Sequence, residues 1–140
     1  MSESWVCDKG ASLLVPSGPD NKKHLFVIAV KPALLDGYGG KPMVLAVPVT
    51  SKREGIRYDD ACEVKAGDHP FIAHDSFIDY RFARVDAARN MEERVKSGIF
   101  IAKENCSPDL LARIVRGASL SRRINREFRQ ILEADAPTNQ

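Results

Sequence analysis

The apolar residues of this chain change their spacing once, and that change limits the folds open to it. Up to about residue 105 they come in short runs rich in β-branched residues and bounded by turn formers: SLLVPSG (12–18), HLFVIAV (24–30) and MVLAVPVTS (43–51). From Ser107 onward they recur at helical spacing, as Leu110, Leu111, Ile114 and Val115. The early runs follow one another without helical crossovers, so the sheet they form should be mostly antiparallel.

The rest of the chain fits this division. KPALLDGYGGKP (31–42) reads as a loop marked by Pro and Gly, and KREGIRYDD (52–60) as a charged connection. ACEVKAG (61–67), FIAHDSFIDYRFARV (71–85) and GIFIAKE (98–104) supply further strands. Ser107-Pro108-Asp109 is a helix start, with a capping hydroxyl, a proline in the first turn and an acid at the positive end of the dipole. Gly117 breaks the pattern, and Ser119 or Ser121 caps a second helix carrying Ile124, Phe128, Ile131 and Leu132. The tail ADAPTNQ is expected to fray. The expected fold is mainly β: a five- to six-stranded, barrel-like, SH3-like antiparallel sheet with C-terminal α-helices. It forms one domain over residues 1–140, strand-rich over 1–105 and helical over 107–135.

Composition removes several classes of function. With 44% hydrophobic and 29% charged residues the chain is globular. Its longest apolar runs, 24–30 and 43–49, fall far short of the roughly 18 residues of a membrane span. The N-terminal residues show no basic start before an apolar stretch, so no secretion signal is expected. Cys7, Cys62 and Cys106 form no CxxC pair, which argues against a disulfide framework or zinc site and for a reduced, cytoplasmic protein. No metal or other cofactor is expected. A net charge of +2 does not by itself demand a nucleic-acid partner, and the arginines between 113 and 129 read first as a solvated helix face.

The chain contains no GxGxxG, Walker A, HExxH or GxSxG sequence, and Gly37, Gly39 and Gly40 read as a flexible loop. The order of its segments is more telling. VPSGP (15–19) is followed by KKHLFVIA (22–29), a variable loop, VPVTS (47–51), and then FIDYRFARVDAAR (77–89). This order resembles the ribonuclease toxins of the MazF/PemK family, in the Kid/CcdB superfamily. Those have a basic residue next to a "-PVVVI-" strand, a later "-PITS-" strand and a closing helix. The resemblance covers most of the chain and implies cleavage of single-stranded RNA without metal, a small acidic antitoxin as partner, and a homodimer. It implies phosphate contacts from Lys22 or Lys23 and from Thr50 or Ser51. The family has arginine at the basic position; here two lysines and His24 stand instead, and lysine lacks the bidentate fork of arginine.

GDHPFIAHDSFIDY (67–80) holds two of the three histidines. Cleavage by a 2′-hydroxyl needs a base, an acid and cations for the phosphorane charge, and imidazole suits either proton role. If 71–85 is one strand, His74, Ser76 and Tyr80 share one face, and Asp79 and Arg81 the other. His74 is then the leading acid or base, supported by Tyr80 or Ser76. Thr50 and Lys23 complete the expected catalytic set, and Lys22, His24, Ser51, Lys52, Arg53, His69, Asp79 and Arg81 surround the substrate. Plainer readings stand beside these. His69 sits in a Gly-Asp-His-Pro turn, and Arg81 and Arg84 pair with Asp79 or Asp86. Trp5 and Tyr38 are candidates to stack on unpaired bases, with packing at the N-terminus the plainer reading of Trp5. The competing function is a non-catalytic binding module on the same barrel: a gyrase-poison-like toxin, or an RNA- or protein-binding domain.

Overall fold

A computed structural model describes residues 5–17 and 22–135. Gly18, expected to end the first strand, and most of the tail expected to fray lie outside the described residues. The described elements run β1 (Ser12–Ser17), β2 (Lys22–Leu34), β3 (Pro42–Ser51), β4 (Glu63–Val64), β5 (Ser76–Ile78), a 3-10 turn (Tyr80–Phe82), β6 (Arg84–Ala87), α1 (Ala88–Lys96), β7 (Ile101–Lys103), α2 (Pro108–Leu120) and α3 (Arg126–Asp135).

The strands form one antiparallel sheet in the order β4-β5-β3-β2-β1-β7, with β6 also paired to β3. One edge of β3 thus carries two partners end to end: Met43–Ala46 pair with β6 and Val49–Ser51 with β5. Between them the Pro48 carbonyl accepts from the Asp79 N–H at 3.0 Å. The mainly β, antiparallel fold with helices toward the C-terminus is as expected; the sheet has seven strands where five or six were expected, and it is open, so it is barrel-like only in a loose sense. Its terminal strands, β4 and β7, are two and three residues long. They offer too little edge to pair with one another.

Alternation in β2 and β3 feeds two apolar layers. Leu25, Val27, Ala29, Leu45, Val47 and Val49 face α2 and α3, where Leu110, Ile114, Ile124 and Leu132 cover them. Phe26, Ile28, Val44 and Ala46 face the opposite layer, closed by Cys7, Ala11, Ala88, Met91 and Phe100. Two register shifts in β2, between Ile28 and Val30 and between Val30 and Ala33, interrupt strict alternation. They let Val30 join the same layer as Ala29.

β2 runs four residues beyond the expected strand end at Val30, so the turn before β3 narrows to residues 35–41. Gly37, Gly39 and Gly40 there all have φ between 74° and 86°, which other residues adopt only with strain. Lys22 and Lys23 are the first residues of β2. Helix α1 had no counterpart in the sequence reading; its N-cap is Ala87, without a side-chain hydrogen bond. Helix α2 starts where Ser107-Pro108-Asp109 predicts, the Ser107 Oγ accepting from Leu110 N at 3.1 Å. It continues through Gly117 to Leu120. A Cβ at 117 would collide with Tyr80 Oη and lie 2.9 Å from the Ala61 carbonyl, so this glycine marks a close approach and not a helix end. α3 begins at Arg126, and Asn125 Oδ1 accepts from Glu127 N at 2.8 Å. Ser121 instead organises the link between the helices. Its Oγ donates to the buried Asp59 carboxylate at 2.5 Å and accepts from Arg123 N at 3.1 Å and Ile124 N at 3.2 Å.

Candidate functional site

At one end of the sheet the two central strands run past their apolar cover. β2 begins there with Lys22, Lys23 and His24, and β3 ends there with Thr50 and Ser51. With Arg53, residues 71–74 and Ser76, these line a cleft of about 280 Å³. Lys22, Lys23, Ser51, Arg53 and His74 are exposed, and His24 and Thr50 are half-buried. Among the described residues Lys22, Lys23 and Arg53 make no salt bridge, so three uncompensated cations border one hollow. A second cleft of about 670 Å³ shares His24 and Thr50 with the first and is bordered by Ser17, Pro48, Asp79, Arg81, Phe82 and Arg84.

His74 reaches the first cleft by a different route from the one its sequence suggested. The strand it was expected to join starts only at Ser76. β3 ends at Ser51, paired with Ser76, and the strand ladder goes no further. His74 therefore sits in a loop, and its alternation with Ser76 and Tyr80 does not exist. That loop is nonetheless held at many points. Asp68 accepts from Lys65 N at 2.8 Å and from Arg113 of α2 at 3.1 Å. Gly67 N donates to Ile72 O at 3.0 Å, Ser76 Oγ to His74 O at 2.8 Å, and Lys52 N to Asp75 O at 3.0 Å.

His69 supplies another anchor and lies outside the cleft. It is 1% exposed. Its Nε2 hydrogen bonds to the Glu104 carbonyl at 2.7 Å, while Nδ1 accepts from Phe71 N at 3.0 Å. Both ring nitrogens are thus occupied by backbone. The accepting Nδ1 puts the proton on Nε2.

Tyr80 also lies outside both clefts. It is fully buried under α2, with Oη donating to the Ile114 carbonyl at 2.7 Å. Burial pushes its phenol far above the ordinary range. Lys52 is ion-paired with Glu63, 4.7 Å above the Tyr58 ring, and lines neither cleft. The hydrogen bond to Glu63 raises its pKa. Asp79 is buried and forks onto Arg81, at 2.9 and 3.1 Å. Arg84 pairs with Asp86 at 2.9 Å. The paired reading of both arginines is therefore correct, although both also border the second cleft.

Two residues that sequence reasoning missed stand in the clefts. Phe71, 42% exposed, lines the first and Phe82, 60% exposed, the second. Each ring already carries a cation, Lys103 at 5.3 Å from Phe71 and Arg81 at 4.8 Å from Phe82. The expected stackers are elsewhere. Trp5 packs on the layer containing Phe26 and donates to Ser12 O at 3.1 Å, and Tyr38 donates to Glu127 at 3.1 Å.

Burial pushes the Cys7 thiol up to about 12 and the Cys62 and Cys106 thiols up to about 11, so none is a thiolate nucleophile at neutral pH. Among the described residues no three His, Cys, Asp or Glu side chains come together as metal ligands would. No helix of the described residues is long and apolar enough to cross a membrane. The clefts thus offer cations, hydroxyls, two imidazoles and two exposed aromatic rings. No family model matches the chain, and no curated protein matches it.

Proposed function

We propose that the protein is a toxin-type endoribonuclease that cuts single-stranded RNA by attack of the 2′-hydroxyl on the adjacent phosphate, without metal. The observation that carries this reading is the meeting of Lys22, Lys23, Arg53, Thr50, Ser51 and His74, from three separate segments, around one cleft. Each group has a task in that reaction. The cations neutralise the phosphate and the charge that builds on its oxygens. The Thr50 and Ser51 hydroxyls donate to the same oxygens. His74 moves a proton. Phe71 and Phe82 offer apolar faces to unpaired bases, which stack on aromatic rings without regard to sequence. A base paired in a duplex cannot use those faces, which favours single strands.

The resemblance to the MazF/PemK toxins supports the same reading. It adds a homodimer in the cytoplasm, held inactive by a small acidic antitoxin that competes with RNA for the cationic cleft. Three buried cysteines without a disulfide agree with a reducing compartment.

A second reading, a non-catalytic binding module, rests on one departure. The basic position beside β2 holds lysine instead of arginine, and the arginines of the second cleft, Arg81 and Arg84, are tied to Asp79 and Asp86. Purified protein incubated with end-labelled single-stranded RNA in excess chelator separates the two. Cleavage to fragments ending in 2′,3′-cyclic phosphate supports the endoribonuclease. Intact RNA, together with growth arrest on induced expression, supports the binding module.

A further inference from the structure

The three histidines differ in what their ring nitrogens do. Both nitrogens of His69 are used by backbone. His74 is exposed on the wall of the first cleft, and its ring makes no hydrogen bond among the described residues. His24 is intermediate. It is half-buried at the start of β2, with Nδ1 2.8 Å from Ser17 Oγ. No hydrogen bond engages its Nε2 among the described residues, and the side chain borders both clefts. One nitrogen fixed and the other left open is how an imidazole is oriented for proton transfer.

We propose that His24 is the second catalytic residue of the site, paired with His74, and that Ser17 positions it. This rests on the endoribonuclease reading and goes beyond it by dividing the proton transfers between two imidazoles. One takes the 2′-hydroxyl proton as the O2′–P bond forms. The other, as imidazolium, gives a proton to O5′ as the P–O5′ bond breaks. The products are a 2′,3′-cyclic phosphate and a 5′-hydroxyl, with no change of oxidation state. The charged and hydroxyl groups that line the first cleft with the two rings are Lys22, Lys23, Arg53, Thr50, Ser51 and Ser76. In the second they are Ser17, Asp79, Arg81 and Arg84. Asp79 is spoken for by Arg81, so no free carboxylate among these competes for the proton.

Leaving-group chemistry tests the division. A ribodinucleotide needs an acid for its departing 5′-oxygen, whereas a ribonucleoside 3′-(4-nitrophenyl) phosphate does not. On the dinucleotide, His24→Ala and His74→Ala are each expected to lose about 10² to 10⁴ in kcat. On the nitrophenyl ester, the variant lacking the acid should recover to within about tenfold of wild type, and the one lacking the base should not. His24→Gln, which can keep a hydrogen bond to Ser17, controls for folding by its melting temperature. Ser17→Ala should lose about fivefold to tenfold in kcat with KM unchanged, and Ser17→Thr should restore it. His24→Ala cleaving the dinucleotide within threefold of wild type would overturn the pairing while leaving the endoribonuclease standing. Both variants remaining equally impaired on the ester would overturn it too. A wild-type protein that cuts neither substrate removes the endoribonuclease reading itself.

Discussion

Strands β2 and β3 are covered on both faces in their middle and on neither at the cleft end. From Leu25 to Val30 and from Val44 to Val47 every residue is buried, beneath α2 and α3 on one side and α1 with the N-terminal segment on the other. A few residues away, Lys22, Lys23 and Ser51 are exposed and Thr50 is half-buried. The same two strands thus serve as core and as site, and the difference lies in where the covering elements stop. The middle should govern stability, because deleting or crowding buried groups costs the most. The open end should be nearly neutral for stability, within about 0.5 kcal/mol per substitution, and should govern what the protein binds and cuts.

The largest expected effect is at the open end. His74→Ala should cut RNA about 10² to 10⁴ times more slowly with its melting temperature unchanged. Cleavage within threefold of wild type, or a clear drop in melting temperature, would break the contrast.

Gly117→Ala should do the reverse. The added methyl meets Tyr80 Oη, the Ala61 carbonyl and Cys62 Cβ, two of which belong to the packed layer under α2. Overpacking of this kind costs about 1 to 3 kcal/mol, read by denaturant unfolding, while cleavage per folded molecule stays the same. An unchanged midpoint would show that α2 can shift away at no cost.

A smaller effect distinguishes neighbours. Arg53 lines the cleft without an ion pair among the described residues, and Lys52 is tied to Glu63 outside it. Arg53→Ala should lower the slope of log affinity against log salt for single-stranded RNA by about 0.7, one phosphate contact, and Lys52→Ala should leave it unchanged. Equal changes would place the bound strand across both residues.

The smallest effect concerns the loop that carries His74. The hydrogen bond from Lys65 N, aided by Arg113, holds the Asp68 carboxyl below the usual carboxylate range. A depressed folded pKa means that its stabilisation is present above the unfolded carboxylate range, at roughly pH 4, and is lost as pH falls through the folded value. Asp68→Asn should therefore flatten the acid limb of the stability curve and leave neutral pH nearly untouched in pH dependence. A limb as steep as in wild type would mean that other carboxylates govern it.

What the sequence made legible follows the same division. The buried middles of β1, β2 and β3 announce themselves as β-branched runs, and Ser107-Pro108-Asp109 marks the start of α2 by cap chemistry. Lys22, Lys23, Thr50 and Ser51 came together in the sequence only through the resemblance to the toxin family; in the fold they meet because they end strands that pair side by side. Helix α1 was not legible, since it has no capping side chain and buries only Ala88 and Met91. The loop at 71–75 reads as a strand because its composition suits one; what it lacks is a partner strand, as β3 stops at Ser51. Phe71 and Phe82 were missed because local sequence does not distinguish an aromatic residue left uncovered from one that is packed. His69 and His74 are five residues apart and chemically identical, and what separates their roles is the backbone of Phe71 and of Glu104, the latter from a distant segment, that engages only His69.

The 2′-hydroxyl is the feature on which the whole account depends. The most direct measurement incubates the wild-type protein, in excess chelator, with a single-stranded RNA and with a DNA of the same sequence, and resolves the products by end group. The RNA is expected to be cut to 2′,3′-cyclic phosphate and 5′-hydroxyl ends while the DNA binds and stays whole. RNA left intact, or DNA cut at a comparable rate, would contradict it.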